Sequence, residues 1–447
     1  MLLAAQFTSA LADNALLIVT IALLQERRVP GWWAPLLKVG FTVSYVVLAP
    51  IVGPLADAFP KARLMAWMNA LKVFGVLGLL VNIHPVLAFA IVGLGAAAYA
   101  PAKYGLVTEL VRADHLVAAN GWLEASVVCA ALLGTAIGGL LVSSWLIESR
   151  LARAGYRLLH ECTLFDGGGS LSLSLLAVLS VYGLASVLNM RVRDSGARYA
   201  PGAIHPLHLA RDFWRANLTL WHDRDGGLSL AVTTLFWGVG ATLQFAVLRW
   251  ASDRLGLSLD GAAYLQGAVA VGVVAGAAIA GRWVPLSRAR RMLWAGVLLG
   301  LVMPLLASTT QLAMAVPLLA AVGLVSGLLV VPLNALLQYR GCRLLSAGRS
   351  IAVQGFSENA SVLAMLAGYA LFIALDMPIV HLLWGMGLMV AAAMGLLIRR
   401  ARRAADCGAS AGDWAGREPR CVDWQRGLVD DAVQRGLEAR YDRAPAE

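Results

Sequence analysis

Runs of about 20 predominantly apolar residues, repeated along the chain and separated by short polar loops, constrain this sequence more than any other feature. An α-helix rises ~1.5 Å per residue, so a run of ~20 residues crosses a hydrocarbon core ~30 Å thick with its backbone hydrogen bonds closed inside the segment. The pattern predicts spans near 2–24, 34–56, 65–82, 86–106, 117–145 and 171–190, then near 227–252, 260–281, 291–308, 311–338, 350–375 and 377–399. A membrane β-barrel would show period-two alternation over ~10-residue segments, and Leu286 to Leu337 shows none. Hydrophobic residues make up 59% of the 447 and charged ones 14%, against about a quarter charged in a soluble domain. The fold class is therefore an all-α membrane protein with twelve spans.

The formal charge of +10 and a pI near 9.7 raise the question of nucleic acid. The basic residues, however, sit in the loops between apolar runs, which is the signature of membrane topology rather than of a DNA-binding face. One side collects Lys61, Arg63, Lys103, Arg112, Arg191, Arg193, Arg198, Arg211, Arg215 and Arg224, then Arg282, Arg288, Arg290, Arg291, Arg340, Arg343 and Arg349. The other holds Arg27, Arg28, Arg150, Arg153, Arg157, Arg254 and little else. By the positive-inside rule the richer side is cytoplasmic, as are both termini. The first run has no basic leader and carries Asp13, so no cleavable signal peptide is expected, and Met1 already falls inside the first predicted helix. Cys129, Cys162, Cys342, Cys407 and Cys421 have neither metal-ligand nor disulfide-framework spacing and are expected as plain thiols.

A loop at 191–226 divides the chain into a first six-helix bundle, 1–190, and a second, 227–400, followed by a polar tail, 401–447, with a short amphipathic stretch from Trp424 to Tyr441. The halves echo each other at an offset of roughly 223 to 234 residues. Gly53-Pro54-Leu55-Ala56-Asp57 recurs in degraded form as Gly276-Ala277-Ala278-Ile279-Ala280, Pro101-Ala102-Lys103 as Pro332-Leu333-Asn334, and Glu124-Ala125-Ser126 as Glu358-Asn359-Ala360-Ser361. Parallel repeats of this kind suit a transporter that rocks its halves about a site at their interface.

Ionisable residues inside apolar spans are costly and mark function by default. Asp13, Lys103, Glu124 and Glu358 are the candidates. Asp13 shares a helical face with Gln6 and Ser9, and Glu358 with Gln354 and Ser361, so the two carboxylates are expected to flank a central cavity. Lys103 and Glu124 fall at similar depth and can pair, either at the site or as a structural ion pair. Asn120, Asn334 and Gln338 are expected to hold helices together. Carboxylates in excess of matching cations favour a cationic group or a proton, and Lys103 adds an anion contact, so a zwitterionic amphiphile complements the set. There is no Gly-rich phosphate loop, no HExxH and no nucleophile beside a positioned His, hence no cofactor, metal or enzyme chemistry is expected. His205, His208 and His222 read as solvated loop residues.

Two levels of resemblance add to this reading. Gly53-Pro54-Leu55-Ala56-Asp57 with Lys61 and Arg63 resembles the loop signature of the major facilitator superfamily, whose role would be a cytoplasmic latch in which Asp57 engages the other half in one state only. Within that superfamily the chain looks like the lysophospholipid transporter family from about Gln6 to Arg400. The similarity is carried by Asp13-Asn14-Ala15-Leu16-Leu17, Gly95 to Gly105, Ala119-Asn120-Gly121 with Glu124, Leu235-Phe236-Trp237-Gly238, Val331 to Gln338, and Gln354 with Glu358-Asn359. The resemblance implies facilitated movement of lysophospholipid, chiefly 2-acyl-glycerophosphoethanolamine, to the cytoplasmic leaflet of a Gram-negative inner membrane. Re-acylation by an acyltransferase and acyl-carrier-protein synthetase would follow there. It also implies a headgroup site at Asp13, Asn14 and Glu358, with Asn359 beside it. One position departs from the pattern: Gln244 stands where the family is expected to place Arg, and Arg249 lies five residues on. The insertion around Tyr156 to Gly169 and the polar tail are additions to the pattern. The competing reading is a proton-coupled drug or metabolite exporter on the same fold.

Overall fold

The computed structural model describes residues 1–29, 33–149, 169–197, 199, 206–257 and 259–406. The insertion, apart from Gly169, the tail beyond 406, and Cys162, Cys407 and Cys421 lie outside the described residues. The first half comprises α1 (Leu2–Glu26), α2 (Trp33–Val47), α3 (Ala49–Ala58), α4 (Lys61–Leu80), α5 (Pro85–Leu110), α6 (Leu116–Leu141) and α7 (Ser172–Met190). After α8 (Pro206–His222) come α9 (Arg224–Leu255), α10 (Leu259–Trp283), α11 (Leu293–Ser308), α12 (Leu312–Leu344), α13 (Ala347–Ala374) and α14 (Ile379–Asp406). No strand occurs among the described residues.

Among the described residues eleven helices are long and apolar enough to cross a membrane, and α2 with α3 make a twelfth candidate span bent by 65°. The sequence predicts this span as one straight run, 34–56. Pro50 at the start of α3 supplies no N–H to the preceding turn, and Pro54 follows inside the helix, which breaks the span. The third span begins earlier than predicted, at Lys61 rather than 65, so Lys61 becomes a buried first-turn residue instead of a loop charge. Within the loop at 191–226 the sequence reading overlooked α8, because its apolar residues lie on separate faces rather than in a run.

Packing inside the second half turns on small residues. Gly272 and Gly276 of α10 face Gly323 and Gly327 of α12. A Cβ at Gly276 would sit 2.1 Å from the Leu324 carbonyl oxygen, and one at Gly323 would sit 2.0 Å from that of Val269. Only hydrogen fits there, and the close approach supplies the van der Waals contact that holds membrane helices together in place of a hydrophobic driving force. Cys342 is buried and disulfide-bonded, which corrects its expectation as a packing thiol.

The buried clusters differ at the two ends of the bundle. One cluster joins Ala12 to Leu24 of α1 with Leu37, Leu79, Val92 and Leu175, all within the first half. The largest cluster fills the second half and recruits Val107, Leu116, Val117 and Leu123 of the first. Those four lie at the end where α3, α5 and α7 finish and α4, α6, α9 and α13 begin, the basic end of the sequence reading. The halves are therefore joined at the basic end, and the first half keeps a separate core at the other.

Candidate functional site

Asp13 does not stand unpaired. The Lys72 ammonium of α4 contacts both of its carboxylate oxygens at 2.8 Å, and the Tyr182 hydroxyl of α7 donates to Oδ1 at 2.6 Å. Lys72 also donates to Ser9 Oγ at 3.1 Å, and Ser9 donates to Asn69 Oδ1 at 2.8 Å. The ammonium lies 5.3 and 5.6 Å from the ring centroids of Tyr99 and Tyr182. Lys72 is 1% exposed, so this network neutralises Asp13 inside the first half. The expectation that buried carboxylates lack matching cations is corrected for Asp13. Asn14 donates to the Ala10 carbonyl of its own helix at 2.8 Å, and its Cβ packs toward Gly134 of α6.

Nearer the seam, Lys103 of α5 and Glu124 of α6 are both buried and act on each other electrostatically, without an ion pair within 4.0 Å among the described residues. The Lys103 ammonium sits 4.1 Å from the centroid of Tyr104. Across the seam, Glu358 of α13 accepts from Gln354 Nε2 at 2.8 Å, interacts with Thr233 of α9, whose hydroxyl donates to the Leu230 carbonyl at 3.3 Å, and feels the charge of Glu124. Tyr104 feels both carboxylates and neighbours Tyr45 of α2. One cation and two carboxylates, drawn from both halves, thus share one region with two tyrosines. Asn359 turns back on the Gly355 carbonyl at 2.8 Å. Asn120 and Gln338 exchange two hydrogen bonds of 2.8 Å between α6 and α12, one half to the other. Asn334 accepts from Gln354 at 2.5 Å.

At the basic end Asp57 closes α3 against α13. It accepts from Gly348 N–H at 2.9 Å and from the Ser346 hydroxyl, while Ser346 itself caps α13. Gly53 permits this approach: a Cβ there would lie 3.0 Å from Ala352 Cβ and from Arg349 Cα. Gly348 is as tight, since a Cβ would meet the Gly53 carbonyl oxygen and Asp57 Oδ1 at 2.6 Å each. Lys61 lies 3.8 Å from Asp57 and makes its closer pair, 2.6 Å, with Glu109. Glu109 also accepts from Ser195 at 2.5 Å and Tyr199 at 2.7 Å. Arg63 is exposed and makes no ion pair among the described residues, so it stands apart from this lock. On the second seam, Gly121 of α6 packs against α10, where a Cβ would meet the Ala277 carbonyl oxygen at 2.8 Å. The second half has its own lock, internal to it: Arg340 holds Asp223 at 2.7 Å, and Arg290 pairs with Asp225.

The sequence profile of the Major Facilitator Superfamily matches residues 2–360. The lysophospholipid transporter LplT of Yersinia enterocolitica (serotype O:8 / biotype 1B) is 39% identical over 379 residues, covering 85% of this chain and 88% of that protein. The LplT of Yersinia pestis (strain Pestoides F) is also 39% identical, over 85% and 87%. This chain belongs to the lysophospholipid transporter family of the major facilitator superfamily. The fold is shared with the superfamily transporter FucP in its outward conformation, at TM-score 0.65, 14% identity and coverage of 90% and 97%. A bacterial ferroportin homologue in its outward-facing state matches at TM-score 0.60 and 18% identity, covering 91% and 98%.

Gln244 is the position at which the family resemblance leads one to expect an arginine. Gln244 is exposed on α9, and its carbonyl accepts from Gln266 of α10 at 2.9 Å. Arg249 is engaged on its own helix, 3.5 Å from Asp253. A different cation lies beside this position: Lys38 of α2 is exposed, with its ammonium 5.9 Å from the Phe245 ring across the seam. Lys38, Lys72, Glu109, Tyr45 and Tyr104 were missed by the sequence reading. The signal was available for Lys38 and Lys72, which fall within the predicted runs 34–56 and 65–82 under the same criterion that singled out Asp13, whereas Glu109 lies three residues beyond the run ending at 106.

Proposed function

We propose that this transporter moves lysophospholipid, chiefly 2-acyl-glycerophosphoethanolamine, to the cytoplasmic leaflet of the inner membrane by alternating access. Re-acylation by an acyltransferase and acyl-carrier-protein synthetase at that face would follow. The observation that carries the reading is the shared region of Lys103, Glu124 and Glu358. An amine and two carboxyl groups from opposite halves complement the phosphate and ammonium of a zwitterionic headgroup, and none of the three has a closed ion pair among the described residues. Asp13, neutralised by Lys72, supports the shape and field of the site rather than acting as a free carboxylate. With the basic end assigned as cytoplasmic, both termini face the cytosol. The Asp57 lock then belongs to an outward-facing state, ready to receive lipid from the outer leaflet.

Uptake of labelled lysophosphatidylethanolamine by spheroplasts of a transporter-deficient strain expressing this chain tests the reading. Uptake is expected to survive a protonophore and to fall at least tenfold in well-inserted Glu124→Gln and Glu358→Gln variants. A well-inserted wild type with no uptake would sink the lipid assignment. Uptake abolished by the protonophore would favour the proton-coupled exporter.

A further inference from the structure

We propose that α8 is an interfacial strap whose outer face binds the anionic headgroups of the adjoining leaflet while its inner face bridges the two halves at the basic end. The inference stands apart from the substrate assignment. At 100° per residue, Leu207, Trp214 and Leu218 fall within ~40° of one another on the helix. They are 74%, 54% and 44% exposed, an apolar stripe whose residues belong to none of the buried clusters among the described residues. Arg211 and Arg215, both exposed, lie along one flank of that stripe.

The opposite face is spent on the protein. Phe213 meets Phe356 of α13 edge-on at 5.3 Å, and Leu220 and Ala216 are buried. Leu209, Phe213 and Ala216 share a groove with Pro50 and Pro54 of α3 and Ala352 of α13. One helix therefore touches the first half through α3 and the second through α13. Its last residue, His222, is followed directly by Asp223, the cap of the membrane-spanning α9, so this end of α8 is fixed at the membrane boundary.

Those facts select the occupant. An apolar stripe with a tryptophan, flanked by arginines and anchored beside a span, is the composition of a helix lying in the headgroup plane, with its apolar side chains in the acyl boundary and its guanidinium groups among phosphates. Anionic phospholipid satisfies the stripe and the charges together. A zwitterionic surface satisfies the stripe alone.

The test uses the full chain in nanodiscs of phosphatidylethanolamine alone or with phosphatidylglycerol, read by hydrogen–deuterium exchange of residues 206–222. Phosphatidylglycerol is expected to slow exchange by about fivefold per arginine at low salt, an effect that added salt erodes. The Arg211→Glu/Arg215→Glu variant should lose that dependence while exchange over 347–360, at the latch, stays as in the wild type. Trp214→Ser should exchange faster in both lipids. Equal exchange in the two wild-type nanodiscs, or a phosphatidylglycerol effect that persists in the double variant, overturns the proposal. So does a change at 347–360 that accounts for the loss.

Discussion

Removing the Asp57 carboxylate should open the basic end without unfolding either half. In Asp57→Ala, α13 loses an acceptor for the Gly348 N–H at 2.9 Å and for the Ser346 hydroxyl, both bonds to an ionised group. Such bonds contribute ~1.5–3 kcal/mol each. Water can enter the site left by a side chain at the end of the bundle, so the lower figure applies and the pair is worth ~3 kcal/mol. At ~1.4 kcal/mol per decade, that moves the ratio of closed to open states by about two orders of magnitude. Lys61 keeps its pair with Glu109 at 2.6 Å, so the variant leaves no buried cation stranded. Spin labels on Arg112→Cys and Arg288→Cys, both exposed at this end and on opposite halves, report the separation by double electron–electron resonance once native cysteines outside the disulfide are replaced. The expected result is a single short distance in the parent and a dominant longer one in Asp57→Ala, with Asp57→Asn between them because its amide oxygen still accepts from Gly348. An unchanged distance distribution in Asp57→Ala would refute the assignment of Asp57 as the lock.

Four further outcomes follow from the structure. Lys72→Met leaves the Asp13 carboxylate without its cation and should destabilise the first half by ~3–5 kcal/mol, read as a fall in the thermal midpoint in detergent, with Asp13→Asn in the same chain restoring most of it. Gly323→Leu forces a side chain against the Val269 carbonyl and should prevent accumulation of folded protein. Gly121→Val, whose obstruction lies between halves, should yield folded protein that the label pair reports as open. For Asp223, burial alone would raise the carboxyl, but hydrogen bonds from Arg340 and from the Gly226 and Asp225 N–H groups outweigh it and hold the group below the usual carboxylate range. A depressed value stabilises the fold above the unfolded pKa of ~3.9 and loses that contribution as pH falls toward the folded one. Asp223→Asn should therefore lower the midpoint at pH 5–8 and converge with the wild type only as pH falls through the folded pKa, below ~3.9.

Much of this architecture was legible because membrane spans leave a one-dimensional trace. Twelve apolar runs and a loop richer in charge need no knowledge of contacts. Hydropathy is blind, however, to a bend that keeps the same composition, which is why α2 and α3 read as one span although Pro50 and Pro54 were in view. It is equally blind to α8, where Leu207, Trp214 and Leu218 form a stripe only once the 3.6-residue period is applied. Asp13 was recognised and its partner was not, since Lys72 lies 59 positions away and only folding brings the two together. The paired glycines of α10 and α12 did carry a local signal, a four-residue spacing in each helix, but which helices pair is again a fact of the fold.

The kinds of contact within and between halves differ in a way that bears on motion. Inside the second half, α10 and α12 meet backbone to backbone at glycines, an arrangement that tolerates no sliding and has no substitute in water or lipid. Between the halves at the basic end, much of the closure is made by hydrogen bonds: Asp57 with Ser346 and Gly348, and Asn120 with Gln338. Polar groups at an opening seam exchange these partners for water at a net cost of ~0.5–1.5 kcal/mol for each neutral bond. Asp57 has a further provision, because Lys61 already stands 3.8 Å away and can draw closer when Gly348 leaves, so the carboxylate is not left as a lone charge at the rim of the membrane. Tight glycine contacts therefore keep the second half rigid, exchangeable polar contacts let the seam open, and Lys61 lowers the electrostatic cost of the opening step.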